Sequence, residues 1–337
     1  MRGARHLLWA ALAATATACA HAPAAARPAK AAVVWPEPPE PARARLVGVV
    51  PDPDAPPPRR PWWAIAAEWI TGGKVGTPRE ALQRPFGIAV GPDGATYVAD
   101  PDSAGVYRVR SDGTLDAIRC RAAEWGAPMA VALADGALWV ADAGLAAVAR
   151  IREADCTLLG VGAFERPTGV AVGADRVFVA DPPRHQIVVL AKDGRVVARW
   201  GAEGSGDGQF AFPTSLAFAG NGELVVTDAL NFRVARLDTE GRWVSAFGAP
   251  GETGAGFARP KGIAVDEGGL VYVSDAQRDL VLVFARGGEL QYAIGAPGDE
   301  PGRFALPSGL AVAAGRLYVA DSQNGRIQVF ELVGGRP

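Results

Sequence analysis

The chain has 337 residues, 49% of them hydrophobic, which is enough to bury a large core within one domain of ordinary size. Its 34 Lys and Arg stand against 36 Asp and Glu, for a formal net charge of -2. That balance excludes the basic domain or stripe by which nucleic-acid binders announce themselves, so no nucleic-acid partner is expected.

Arg2 and Arg5 give the chain a positive start, and Leu7 to Ala18 follows as an apolar stretch of 12 residues. A bilayer span needs about 20 residues, so residues 1–18 read as a signal peptide. Two endings are open. Ala20-His21-Ala22 offers an A-x-A cleavage site for plain secretion, whereas Ala16-Thr17-Ala18-Cys19 resembles a bacterial lipobox, with Ala16 where that motif carries Leu. The lipidated reading is preferred, because Cys19 directly follows the apolar stretch and has no other evident purpose. Residues 19–43 are rich in Ala, Pro and Arg, a composition that cannot pack a core and behaves as an extended tether. The expected place is therefore the bacterial outer membrane or periplasm, with membrane contact through the N-terminal lipid only.

Residues 44–333 are expected to form the folded domain, with an insert at 51–83. Arg45-Leu46-Val47-Gly48-Val49-Val50 has strand composition. Within the insert, Trp62, Ile65, Ala66 and Trp69 fall on one helical face before Gly72-Gly73, which predicts a short capping helix over Trp62 to Ile70.

From residue 85 one pattern runs six times: Pro, a short apolar run, a Gly/Asp turn, a second apolar run ending in Asp, then a third. The frame appears at Pro85/Asp100, Pro128/Asp142, Pro167/Asp181, Pro213/Asp228, Pro260/Asp275 and Pro307/Asp321. Prolines spaced by 43, 39, 46, 47 and 47 residues have the period of propeller blades. The runs are short, rich in Val, Ile, Tyr and Phe, and bounded by Gly, Asp and Asn, so they are strands rather than helices. The third copy spells out the unit: Thr168 to Val172, Arg176 to Ala180, Gln186 to Ala191 and Arg195 to Trp200. The fold class is accordingly all-β, a six-bladed β-propeller of four-stranded antiparallel blades, since a lone blade would expose both faces. The sixth copy stops after Arg326 to Leu332, so residues 44–50 are expected to supply its fourth strand and close the ring. On this reading, removal of residues 1–40 leaves stability nearly intact.

The best-formed copies also resemble the NHL-repeat family. Gly201 through Gln209-Phe210 to Pro213, then Val226-Thr227-Asp228-Ala229-Leu230-Asn231-Phe232-Arg233-Val234, is similar to that repeat. So is Tyr318-Val319-Ala320-Asp321-Ser322-Gln323-Asn324-Gly325-Arg326-Ile327-Gln328-Val329-Phe330. Copies 1 and 2 lack the Asn-x-Arg after the Asp, so their turns are expected to differ. Val34-Trp35-Pro36-Glu37-Pro38-Pro39 followed by Arg45-Leu46-Val47 resembles the entry to a group of bacterial six-bladed propeller lipoproteins. The NHL resemblance implies fold strongly and activity weakly, because that family includes lyases, scaffolds and nucleic-acid binders.

Two enzyme chemistries come with the resemblance. Zinc-dependent amidating lyases hold a central metal with several His, yet beyond the apolar stretch this chain has only His21 and His185, short of the three protein ligands zinc takes. A calcium-dependent lactonase needs carboxylates and amides in the axial channel, and the inner runs FGIAV, MAVAL, TGVAV, TSLAF, KGIAV and SGLAV carry no acid. No HExxH, P-loop or GxSxG motif occurs. No cofactor is expected.

The six recurrent aspartates are expected to cap strand-to-strand turns, because a residue present in every blade answers a need of every blade. The positions that break the repeat carry more information about function. Immediately before or near the inner-strand prolines stand Arg84, Ala127, Arg166, Phe212, Arg259 and Leu306, so blades 1, 3 and 5 bring Arg to the axial mouth, and Lys261 adds a fourth cation. Converging guanidiniums make an anion-binding rim. Cys120 and Cys156 are candidates for a disulfide in an exported chain, although they are expected near opposite edges of neighbouring blades. The function expected is that of a monomeric, lipid-anchored scaffold binding a protein or a small anionic ligand; the alternative is a propeller hydrolase or lyase using the axial pocket.

Overall fold

A computed structural model describes residues 33–51, 82–110, 113–153 and 155–333. The signal peptide, Cys19 and the segment Trp62 to Ile70 lie outside the described residues. Within them the chain forms six antiparallel sheets arranged as a β-propeller. Five sheets have four strands each, as in blade 3, where Gly169–Val172, Arg176–Asp181, Gln186–Ala191 and Val196–Trp200 pair in sequence.

The core lies between the blades, because successive residues of a strand point to opposite faces. Ile263 packs with Val225 and Val234 of blade 4, whereas its neighbour Ala264 packs with Leu310 and Val319 of blade 6. Six such hydrophobic clusters occur among the described residues, one for each junction between adjacent blades. Each blade is thus held by both neighbours, and the ring must be closed for the last pair to bury its faces.

Ala44–Val50 closes it, pairing antiparallel with Arg326–Leu332 from Ala44 opposite Leu332 to Val50 opposite Ile327. An ion pair between Arg45 and Glu331 spans the same seam. The tether segment contributes a strand that composition did not suggest. Val34–Trp35 pairs with Ala44 and Arg45, making this sheet five-stranded. Trp35 is 8% exposed and meets Phe330 edge-on at 5.4 Å between ring centroids. The expectation that residues 1–40 can be removed without cost is therefore corrected, because that cut takes away a core side chain.

Each recurrent Asp is fully buried and serves the turn chemistry of its own blade. Asp142 accepts the backbone N–H groups of Gly126, Ala127, Gly144 and Leu145, and Asp275 those of Ala258, Arg259, Gln277 and Arg278. The carboxylate thereby ties the connector entering a blade to the turn leaving its second strand. The residue four beyond each Asp has positive φ in all six blades: Ala104, Ala146, His185, Phe232, Asp279 and Gly325. Copies 1 and 2 therefore keep this left-handed position, although the 3-10 turns Pro182–Arg184 and Ala229–Asn231 of blades 3 and 4 are not formed in them.

The Asn-x-Arg of copies 4 and 6 has a separate task. Arg233 pairs with Asp228 at 2.9 Å and donates to the carbonyls of Ser205, Gly206 and Gln209, while Arg326 does the same with Asp321, Asp299, Glu300 and Arg303. These guanidiniums hold the long Gly-rich connectors that enter blades 4 and 6. Buried Phe210 and Phe304 anchor those connectors, and Gly201 and Gly295 at their start, at φ of +97° and +93°, leave room for the rings.

Cys120 and Cys156 form a disulfide with their Cα atoms 5.3 Å apart. The expectation of opposite edges fails because Cys120 lies past the outer strand of blade 1, Leu115–Ala117, in the segment that crosses to blade 2. There it reaches Cys156 in the outer strand Asp155–Leu159. Closing a loop over 36 residues is worth about 4 kcal/mol by the chain-entropy argument.

Candidate functional site

The residues entering the inner strands build the axial mouth. A cavity of about 640 Å³ opens there, lined from five of the six blades. Arg84, Arg166, Arg259 and Lys261 all line it, so the four cations picked from the sequence meet in one place. Their backbones are fixed by the Asp scheme: the N–H groups of Arg84, Arg166 and Arg259 donate to Asp100, Asp181 and Asp275 at 3.0, 2.8 and 2.9 Å. The guanidiniums themselves are exposed. Arg84 shares a solvated ion pair with Asp102 at 3.6 Å, whereas Arg166 and Arg259 have no carboxylate partner among the described residues.

Blades 4 and 6 enter differently. Phe212 and Leu306 adopt positive φ, and their N–H groups donate to His185 Nδ1 at 3.3 Å and to Asp279 Oδ1 at 2.7 Å in the preceding blade. His185 is thus a loop residue that braces the next connector. The Phe212 and Leu306 entries thus differ from the Arg entries in backbone conformation as well as in side chain, whereas Ala127 of blade 2 keeps the Arg-type backbone with its N–H on Asp142; the sequence alone did not reveal this.

One residue after each inner-strand proline comes a ring of six positions: Phe86, Met129, Thr168, Thr214, Lys261 and Ser308. Thr168 Oγ1 donates to the carbonyl of Thr214, Thr214 Oγ1 to that of Lys261, and Ser308 Oγ to those of Pro85 and Phe86. These bonds stitch neighbouring inner strands together. Lys261 is half-buried in this ring, its Nζ 5.0 Å from the Phe86 ring centroid. Burial, with the added repulsion of Arg259 and Arg84, lowers its pKa to about 8. Because the native pKa is below that of the unfolded chain, this group makes the free protein gain stability as pH rises from about 8 toward 10.5.

Sequence reasoning missed the apolar part of the site. Phe86, Met129, Phe212, Leu230 and Phe232 line the same cavity as the cations. The one usable signal was the position after each proline, which lines the cavity in blades 1 to 5, while Ser308 of blade 6 is buried. Among the described residues no acidic one lines the cavity. Behind it, the inner strands enclose an axial channel of about 340 Å³ whose lining carries no ionisable side chain among the described residues. Among the described residues no three of His, Cys, Asp and Glu come together in a group that could hold a metal ion.

A model of the NHL repeat matches residues 304–330, the connector and strands around Asp321 described above. The chain carries an NHL repeat on a six-bladed propeller. No curated protein matches it in sequence. Solved propellers of similar fold include virginiamycin B lyase from Staphylococcus aureus, with 13% identity, a TM-score of 0.58, and 75% of this chain and 97% of that one covered. A gluconolactonase from Xanthomonas campestris has 20% identity and a TM-score of 0.60, over 76% of this chain and 88% of its own. An auxiliary nutrient binding protein from Bacteroides thetaiotaomicron has 10% identity and a TM-score of 0.60, over 74% and 69% respectively. At such identities the likeness is one of fold alone.

Proposed function

We propose that this propeller is an exported, lipid-anchored binding module that takes a small anionic ligand at its axial mouth. The observation that carries the reading is the meeting of three arginines and one lysine in a cavity that no acidic residue lines among the described residues. Cations sharing one rim repel one another and gain from an anion that bridges them. A volume of about 640 Å³ suits a small molecule better than a protein surface. The nutrient binding protein of similar fold supports a binding role, and an acidic segment of a partner protein is the competing occupant that experiment would reveal.

The test uses an anionic aromatic probe, anilinonaphthalene sulfonate, followed by fluorescence. Replacing Arg84, Arg166 and Arg259 together by Gln is expected to weaken binding on the order of tenfold or more, from exposed contacts of roughly 0.5 kcal/mol each. The fold survives, since Ala127, Phe212 and Leu306 stand at these positions elsewhere. Native affinity is also expected to fall between pH 7 and 9, because the anion favours the charged Lys261, whose pKa is about 8. An affinity indifferent to the triple substitution and to pH places the binding surface elsewhere.

Export and anchoring rest on Cys19 and its apolar leader, and the Cys120–Cys156 disulfide supports an oxidising compartment. Cys19→Ser is expected to give a soluble, unacylated protein in a bacterial host. Unchanged acylation and membrane association in that variant would remove the anchor from the account.

A further inference from the structure

We infer that Lys261 is a reactive amine that forms a reversible imine with a small carbonyl compound bearing a carboxylate, as in the α-keto acids. This deepens the anionic-ligand reading and rests on it. Among 34 Lys and Arg the chain has only four lysines, Lys30, Lys74, Lys192 and Lys261. Lys192 is tied down by the Asp135 carboxylate and the Trp139 ring. Lys261 has no carboxylate partner among the described residues, and it faces the Phe86 ring and the cations Arg84 and Arg259.

Those surroundings act on the amine in opposite directions. The Phe86 ring favours the ammonium, whereas burial and two nearby guanidiniums favour the neutral form. The second group prevails, with a pKa of about 8, so the neutral amine is the minor form at pH 7 and grows to about half of Lys261 by pH 8. Arginine does not lose its proton under these conditions. The mouth therefore offers two distinct functions side by side: permanent cations to hold a carboxylate, and a neutral amine to meet a carbonyl. A desolvated lysine beside another cation is the arrangement that activates an amine for this chemistry.

The step balances without any oxidant or reductant. The Nζ lone pair attacks the carbonyl carbon, forming the C–N bond as the C=O π bond opens to a hydroxyl group. In this carbinolamine one amine proton has passed through water to the new hydroxyl. That hydroxyl then takes back from solvent the proton Lys261 released on becoming neutral, and water leaves with the C–O electron pair. The nitrogen lone pair forms the C=N bond, so that the ammonium and the carbonyl give a protonated imine and one water. Hydrolysis runs the same sequence backwards and frees both partners. The carboxylate of the bound molecule stays against Arg84 and Arg259 throughout.

The test traps the imine in the intact protein with pyruvate and cyanoborohydride, followed by peptide mass mapping. Lys261 is expected to carry the carboxyethyl adduct at least about tenfold more than Lys30, Lys74 or Lys192, with an initial rate that rises from pH 7 to 9. Acetone, which lacks the carboxylate, should label Lys261 far less, and the R84Q/R166Q/R259Q variant should lose the preference for pyruvate. Lys261→Arg keeps the charge and should abolish labelling at that peptide. Equal labelling of all lysines overturns the inference while leaving salt-dependent probe binding, and so the anion site, standing. Selective labelling of Lys261 by acetone and pyruvate alike overturns the carboxylate class and counts against the anion site as well.

Discussion

Removal of residues 1–51 is expected to unfold the propeller or drive it into aggregates, while removal of residues 1–32 takes away no described residue and should leave the melting temperature unchanged. The difference is the strand Ala44–Val50, which is the only partner of Arg326–Leu332 on its outer side. Without it, that strand presents an open row of backbone donors and acceptors, which is a template for pairing between chains. It also uncovers Phe330, which is fully buried in the closed ring. A cut after residue 40 lies between these extremes. It spares Ala44–Val50 but deletes Trp35, and truncating a buried tryptophan costs on the order of 3–5 kcal/mol. Thermal unfolding of the three truncations should rank them in that order. A 1–51 deletion as stable as the full chain would show that the ring does not depend on this strand.

Asp142→Ala is expected to destabilise the protein by about 3 kcal/mol or more. The Asp142 carboxylate accepts four backbone N–H groups, at 2.9, 2.8, 2.8 and 3.0 Å, and no arginine shares it. Alanine would leave those donors without their acceptor in a site where Asp142 is fully buried. Each stranded donor carries a penalty of about 1–3 kcal/mol, reduced where water or a small shift can reach it. Asp142→Asn should recover part of the loss, since one carbonyl oxygen remains. Denaturant unfolding gives the measurement, and a loss below about 1 kcal/mol would refute the turn-capping role. Binding at the mouth should persist in the folded fraction, because neither Asp142 nor Ala127 lines the cavity.

The ring was legible in the sequence because its physics repeats. Pro85 and Asp100 have counterparts in every blade, and a requirement met six times leaves a mark that single contacts cannot. The closing strand could be read from the same regularity, since the sixth copy lacked a fourth strand and Arg45 to Val50 had the composition to provide it. Trp35 was noticed only through a family resemblance, and its strand and core role were not, because a two-residue strand has no periodicity and sits in an Ala- and Pro-rich stretch. The disulfide partners Cys120 and Cys156 were legible as an exported chain's cysteine pair, but their proximity was not: Cys120 lies beyond its strand, and the crossing between blades brings it to Cys156.

The site divides in the same way. Arg84, Arg166 and Arg259 stood out because they break the repeat, and the structure brings them to one cavity with Lys261. Phe86, Phe212 and Phe232 did not, since an aromatic residue within a strand repeat reads as core until the fold shows it facing a mouth. The environment of Lys261 was equally hidden. Its pKa is lowered chiefly by burial, then by Arg259 and by Arg84, and the last lies far away in sequence and becomes a neighbour only when the ring closes.

The central claim is that the axial mouth binds anions through its cationic rim. It is tested most directly by measuring the dissociation constant of anilinonaphthalene sulfonate across a salt series in the native protein and in the R84Q/R166Q/R259Q variant. Exposed charges are screened within about 8–10 Å at physiological ionic strength. The native affinity should therefore fall steeply with salt, and the variant should bind weakly with a nearly flat dependence. Equal affinities with equal salt dependence in the two proteins would contradict the claim.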